Sequence, residues 1–308
     1  MRRFWIDTDP GTDDVVAIMM ALRWPDVHVE GISVVAGNTP VHLGSRNARY
    51  TVELCGKETP VYTGLARPLL RQSAWAESFH GADGLGGVGC PEPKRPPAKG
   101  HAVEALIKAA NAAPGQINLV TLGPLSNIAM ALSLDPTLAD KIAQCYVMGG
   151  TAATVGNITP AAEFNIWTDP EAARIVFHSG LRILMVGWEL CRGAANLSDD
   201  DIAHVRSFHT PYGDFAMDIN LCGLKSNREI LGDPGMPLPD AVAMAVALDG
   251  SVCTKRDRHY VDVETQSELT RGMTVVDQLH VVKKEPNIQV CWAIDVPKWK
   301  ATLYRALQ

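Results

Sequence analysis

Short apolar runs alternate with segments of helical period along most of the chain. Phe4 to Thr8 reads as a short buried strand, and Val15 to Trp24 as an apolar helix. Val27 to Ala36 predicts the next strand, and Ser45 to Cys55 the next helix. Ile117 to Leu122 predicts a strand, followed by a helix through Asn127 to Leu132. Gln144 to Met148 and Arg182 to Val186 predict two more strands of the same kind. Each strand ends in small or polar residues: Gly11, Gly37-Asn38, Gly123, Gly149-Gly150 and Gly187. Strands alternating with helices imply an α/β fold, with a mostly parallel, Rossmann-like sheet flanked by helices. In such sheets ligands bind beyond the carboxyl ends of the strands. The polar clusters all fall there.

Two stretches depart from the alternation. Residues Ala66 to Gly100 are rich in Gly and Pro with little periodicity, and so long a loop inside a compact domain is usually functional. From Arg258 onward the pattern changes to alternating segments: His259 to Glu264, Met273 to Asp277 and Ile288 to Ile294. These predict a late antiparallel or edge region, closed by a helix from Lys298 to Leu307. No internal repeat and no clear linker interrupts residues 1–308, so one domain is expected.

Composition removes several function classes. Charged residues make up 20% and apolar residues 46%, a globular balance that argues against disorder. A net charge of -6 gives no electrostatic case for nucleic acid. No apolar run approaches the ~20 residues of a membrane span. The first strand is broken by Asp7, which makes the N-terminus too short and too acidic for a signal peptide. The seven cysteines are odd in number, widely spaced and without a CxxC. Reduced thiols in a cytoplasmic protein fit better than a disulfide framework or a zinc site.

The most informative stretch is Asp7-Thr8-Asp9-Pro10-Gly11-Thr12-Asp13-Asp14, which crowds four carboxylates into eight residues. Such charges repel unless neutralised, and a hard divalent cation such as calcium or magnesium prefers oxygen ligands. Pro10 and Gly11 turn the chain, so Asp9 and Asp14 can face one point. The helix dipole also favours acids in a first turn, which leaves Asp13 and Asp14 open to a plain capping role. Haloacid-dehalogenase-like phosphatases carry DxD after their first strand as well. Their motif continues with x-Thr or x-Val, where this chain has Pro10-Gly11, and it has no place for Asp13-Asp14.

The segment from Asp7 to Asp14 resembles the DxDPGxDD signature of the inosine–uridine-preferring nucleoside hydrolases. Further segments agree in the same order. Val35 to Asn38 resembles the family's second strand end, Gly123 to Ala129 its GPLTNIA helix start, and Val147 to Gly150 its VMGG turn. Glu163 to Ala173 resembles its EFNxxxDPEAA segment, and Asp240 with Ala241 to Ala243 its late metal-binding helix. The resemblance implies calcium-dependent hydrolysis of the N-glycosidic bond of ribonucleosides, giving ribose and free base. It implies Asp9, Asp14, Asp240 and the Leu122 carbonyl as metal ligands, with Asp9 also taking a proton from a metal-bound water. It places Asp13 and Asn165 near the ribose 2′-hydroxyl, Asn157 and Glu163 near the 3′- and 5′-hydroxyls, and Asn38 beside the metal. Read alone, Asn157 between Gly156 and Ile158 could equally be a turn residue. A homodimer or homotetramer is the assembly the resemblance implies.

One position departs from the family. Its members carry His or Trp before the last metal aspartate, to protonate or stack the leaving base, but here Pro239 precedes Asp240. Other residues would have to serve. His80, in the Gly-flanked loop, matches a family His and titrates near neutrality when unperturbed. Trp188 offers a stacking face, although buried packing is an equal reading. Lys225 and Arg228 are candidates for polarising a leaving group, or an exposed helix face. Two rivals accompany the hydrolase reading. A phosphatase would draw on Lys141 and Asp199-Asp200. A non-catalytic riboside-binding protein would rest on Pro239 alone.

Overall fold

In the computed structural model, which describes residues 1–308, the strands are β1 (Arg2–Thr8), β2 (Val27–Val34), β3 (Val61–Thr63), β4 (Ile117–Thr121), β5 (Ile142–Met148), β6 (Ile183–Val186), β7 (Cys253–His259), β8 (Val261–Val263), β9 (Thr274–Val276) and β10 (Ile288–Ile294). The helices of the first half are α1 (Thr12–Arg23), α2 (Val41–Leu54), α3 (Glu77–His80), α4 (Ala102–Ala112), α5 (Ser126–Leu134) and α6 (Leu138–Lys141). Those of the second half are α7 (Phe164–Thr168), α8 (Pro170–Phe177), α9 (Asp199–Arg206), α10 (Pro211–Ile219), α11 (Leu221–Ser226), α12 (Pro239–Leu248) and α13 (Val296–Leu307). None is long and apolar enough to cross a membrane.

Eight strands form one sheet in the order β3-β2-β1-β4-β5-β6-β10-β7. Every pairing is parallel except β10 with β7. Helices cover both faces, which is why the middle of β1, Phe4 to Ile6, is apolar on both sides of the sheet. Successive strand residues point to opposite faces. Phe4 and Ile6 therefore enter the larger core, under α1, α2, α10, α12 and α13, while Trp5 enters the smaller core, under α4, α5 and α8. The same alternation sends Asp7 towards α5, where Asn127 Nδ2 donates to it at 2.9 Å and Ser33 Oγ also donates. Asp7 thus ties the start of α5 to β1 and β2. Burial raises its pKa to about 7.

The alternation expected from the sequence is present, with ends shifted by a few residues. Several elements escaped it, including the short helices α3, α6 and α7 and the helices α8 to α11; three others show why. β3 is only three residues long. The pattern assigns nothing to α4, although its buried Ala102, Val103, Leu106 and Ala110 have helical spacing. β7 reads Cys-Thr-Lys-Arg-Asp-Arg-His and is mostly exposed, a charged edge strand without an apolar signal. The late region also differs from a simple antiparallel annex. β10 lies inside the main sheet, parallel to β6, and only β8 and β9 form a separate antiparallel pair. Residues Ala66 to Gly100 lack regular structure apart from α3.

Candidate active site

The chain winds from β1 to one side of the sheet through β2 and β3, then returns to build the other side from β4. A crevice opens at that switch, at the carboxyl ends of β1 and β4, where open α/β sheets bind ligands. Asp9 stands one residue beyond β1 and is fully buried. Its Oδ2 accepts the Asn38 N–H at 2.6 Å, and its Oδ1 has no hydrogen-bond partner. Gly123, beyond β4, leaves room for it: a Cβ there would lie 2.4 Å from Asp9 Oδ1.

Asp13 and Asp14 occupy the first turn of α1, and Asp240 the first turn of α12. These helices pack together, bringing carboxylate oxygens of Asp13, Asp14 and Asp240 within 4.8 Å of one another. Asp14 does serve as a cap, accepting the Gly11 N–H at 2.9 Å, but it also accepts from Asn38 Nδ2 at 3.0 Å and from Thr8 Oγ1. The resemblance grouped Asp9 with Asp14 and Asp240; the tightest trio in the structure has Asp13 in that place. Asn38 links the two arrangements by donating to both Asp9 and Asp14.

Electrostatics show what this cluster needs. Burial, followed by neighbouring carboxylates, raises the pKa of Asp9, Asp14 and Asp240; burial alone is the chief cause for Asp13. Without a counter-charge these groups cannot all ionise. An all-oxygen set of buried carboxylates, beside an unpartnered Asp9 oxygen, has the chemistry of a site for a hard divalent cation. Leu122 lines the same cavity, and its carbonyl accepts from Asn165 Nδ2 at 2.7 Å.

Around this floor lies a cavity of about 160 Å³, roughly ten times what one water requires. Asp13, Asn38, His80, Leu122, Asn157, Glu163, Asn165, Trp188 and Asp240 all line it, while Asp9 and Asp14 lie beneath. Glu163 caps α7, accepting from Asn165 N at 2.8 Å, Ile166 N at 3.2 Å and Gly150 N at 2.7 Å. Burial raises its pKa to about 7. Asn157 combines both readings, lining the cavity while its Oδ1 accepts the Phe164 N–H at 2.9 Å. Trp188 is almost fully buried in the cavity wall.

His80 closes α3 over the acidic loop. Its Nδ1 accepts the Thr12 N–H at 3.1 Å, which assigns the ring proton to Nε2. Burial lowers its pKa to about 4, so the ring is neutral and its one N–H lies on Nε2. A Cβ on Gly11 would lie 2.7 Å from Nδ1, so Gly11 permits this contact. Lys225 and Arg228 are exposed and absent from the cavity wall; Arg228 instead pairs with Asp199 at 2.8 Å. Lys141 pairs with Asp135 at 2.8 Å, and neither it nor Asp199-Asp200 reaches the cavity. The phosphatase reading therefore loses its later residues. The pattern missed Thr12, which holds His80, and the wall residues Trp75, Phe79, Ile158 and Phe164. Trp75 and Phe79 lay in the long loop, where aromatic residues flanking His80 were the available signal.

Comparison with known proteins agrees with this geometry. The profile of the inosine-uridine preferring nucleoside hydrolases matches residues 4–301. The chain belongs to that family. It is a hydrolase of N-glycosidic bonds. The pyrimidine-specific ribonucleoside hydrolase RihB of Escherichia coli is 38% identical over 296 residues, 96% of this chain and 93% of its own. The plant nucleoside hydrolase PpNRh1 superposes with a TM-score of 0.94 at 31% identity, covering 99% of this chain and 98% of its own. The purine-preferring ribonucleoside hydrolase from Gardnerella vaginalis gives 0.92 at 29% identity, with the same coverage. The names of these relatives carry opposite base preferences, so likeness to the family does not select a base for this hydrolase.

Proposed function

We propose that this hydrolase cleaves ribonucleosides to ribose and free base at the cavity above Asp9, Asp13, Asp14 and Asp240, with Asp9 as general base. The observation that carries this reading is the unpartnered Oδ1 of buried Asp9 beside the clustered carboxylates. Calcium suits a pocket of carboxylate and carbonyl oxygens, and when bound it lowers the pKa of a water and offsets the carboxylate charge. Asp9, Asp14, Asp240 and the Leu122 carbonyl would hold it. Bond cleavage builds positive charge on the ribose ring, and buried carboxylates favour that charge. Asp9 Oδ1 takes the proton of the attacking water. Asp13, Asn157, Glu163 and Asn165 bind ribose hydroxyls; a sugar lacking one leaves a buried group unpaired, at about 1–3 kcal/mol. His80 donates through Nε2–H to the departing base or its sugar. Trp188 packs against the base. Residues 1–308 act as one such unit, assembled as a homodimer or homotetramer in the cytoplasm.

The test is release of reducing sugar from uridine and from 2′-deoxyuridine. Asp9→Ala is expected to lose several orders of magnitude of kcat with its fold intact by circular dichroism. The deoxynucleoside is expected to fall by about tenfold or more in kcat/KM. Near-normal turnover by Asp9→Ala, or equal kcat/KM for the two sugars, would overturn these assignments.

A further inference from the structure

The cavity wall contains no lysine and no arginine. Its charged groups are the carboxylates of Asp13, Glu163 and Asp240, with Asp9 and Asp14 beneath them. With acidic and aromatic lining and no cationic side chain, the cavity suits a flat, positively charged occupant. Proton donors are equally scarce. Pro239 lines the cavity at the first position of α12 and has no proton to give, on its ring or its nitrogen. The single imidazole, His80, has Nδ1 filled by the Thr12 N–H and can offer only the Nε2–H of a neutral ring. The remaining donors are hydroxyls, amides and the indole N–H groups of Trp75 and Trp188, none of them an acid near neutral pH. Trp75, Phe79, Phe164 and Trp188 supply aromatic walls, and Trp75 stands at the open side, 38% exposed.

Resting on the nucleoside hydrolase reading, we propose that the preferred substrates are ribosides whose base carries a fixed positive charge, N-ribosylpyridinium compounds above all. Cleavage of their C1′–N bond returns the electron pair to the ring nitrogen and cancels its charge. The base then departs neutral, without receiving a proton. The water oxygen bonds to C1′, and its proton passes to Asp9 and then to solvent. Ribose, neutral base and one proton are the products. A neutral nucleoside behaves differently, because its base leaves as an anion unless an acid protonates it. The one imidazole available for this is His80, whose neutral Nε2–H is a far weaker acid than an imidazolium. Aromatic walls in an acidic, arginine-free cavity also attract a flat cation through its charge.

The experiment compares nicotinamide riboside with uridine and inosine on the calcium-loaded enzyme, subtracting uncatalysed cleavage. General acid help is worth 10²–10⁴-fold, so nicotinamide riboside should exceed both neutral nucleosides by about 100-fold or more in kcat/KM. Pro239→His should narrow that ratio by at least about tenfold by speeding uridine. A second readout avoids leaving-group chemistry: 1-methylnicotinamide should compete about tenfold more tightly than neutral nicotinamide. Uridine or inosine matching nicotinamide riboside would overturn the proposal and leave the hydrolase reading intact. Equal inhibition by the two nicotinamides would also overturn it. If none of the three ribosides is cleaved, the hydrolase reading falls with it.

Discussion

Removing the divalent cation exposes the repulsion that the fold has built into its floor. Oxygens of Asp13, Asp14 and Asp240 lie within 4.8 Å of one another. At an effective dielectric of about 20, each ionised pair at that distance costs about 3.5 kcal/mol, and three pairs about 10 kcal/mol. A domain's whole stability is about 5–15 kcal/mol, so the chelated protein must keep protons on this cluster. The raised pKa values of Asp9, Asp13, Asp14 and Asp240 express the same conflict. The sign follows. Folded-state pKa values above the unfolded value of about 3.9 mean that the native state binds more protons once pH exceeds 4. Stability of the chelated protein must then fall as pH rises, by about 1.4 kcal/mol per pH unit for each extra proton bound. Calcium at 100 times its Kd adds about 2.7 kcal/mol, or roughly 4 °C in Tm for a chain of 308 residues. The assay is thermal unfolding at pH 5 and pH 8, with a chelator or with calcium. The chelated Tm should fall between those pH values, and the calcium shift should be larger at pH 8, because the ligands must be deprotonated. Magnesium should give a smaller shift, since it resists giving up its waters to a protein cage. Asp240→Asn should raise the chelated Tm at pH 8 while losing most of the calcium shift. A flat chelated profile, or an Asp240→Asn loss that is equal with and without calcium, would refute the reasoning.

Two further outcomes follow from other contacts. His80→Ala should slow uridine cleavage about tenfold or more and p-nitrophenyl riboside much less, because the latter's leaving group needs no donated proton; equal slowing would mean that His80 acts on something other than the leaving group. Asp201 ties α9 to α13, accepting from Lys300 at 2.6 Å, Tyr304 at 2.6 Å and Ser198 N at 2.8 Å. Burial alone would raise its pKa, but Lys300, Tyr304 and Ser198 outweigh burial and hold it below the usual carboxylate range. Asp201→Asn should therefore cost about 1.5–3 kcal/mol in urea unfolding at pH 7, and the gap should close as pH falls below about 4. An unchanged gap at pH 3 would contradict this.

Much of the fold was legible because parallel strands covered on both faces are mainly apolar where they are buried. β1, β2, β4, β5 and β6 all announce themselves in this way. β7 does not, because an edge strand facing solvent carries charge in place of pattern. The long loop was visible as a gap in the periodicity, but nothing local said that α3 would seat His80 on Thr12. The acidic motif was legible because its members are contiguous and too numerous for capping alone.

Sequence by itself determined the strand-helix alternation, the acidic strand end and, through shared segments, the family. Local spacing and side-chain type suffice for those. Tertiary structure decided which carboxylates meet. Asp240 N donates to Asp13 Oδ2 at 3.3 Å across a separation of 227 residues, a contact that exists only because α12 packs on α1. It decided the protonation of His80, since a ring's proton goes where the neighbouring donor leaves room. It also decided the charge of the cavity. Lys225 and Arg228 sit beside it in sequence, yet their long side chains reach solvent, where hydration of a cation costs nothing and burial would cost much.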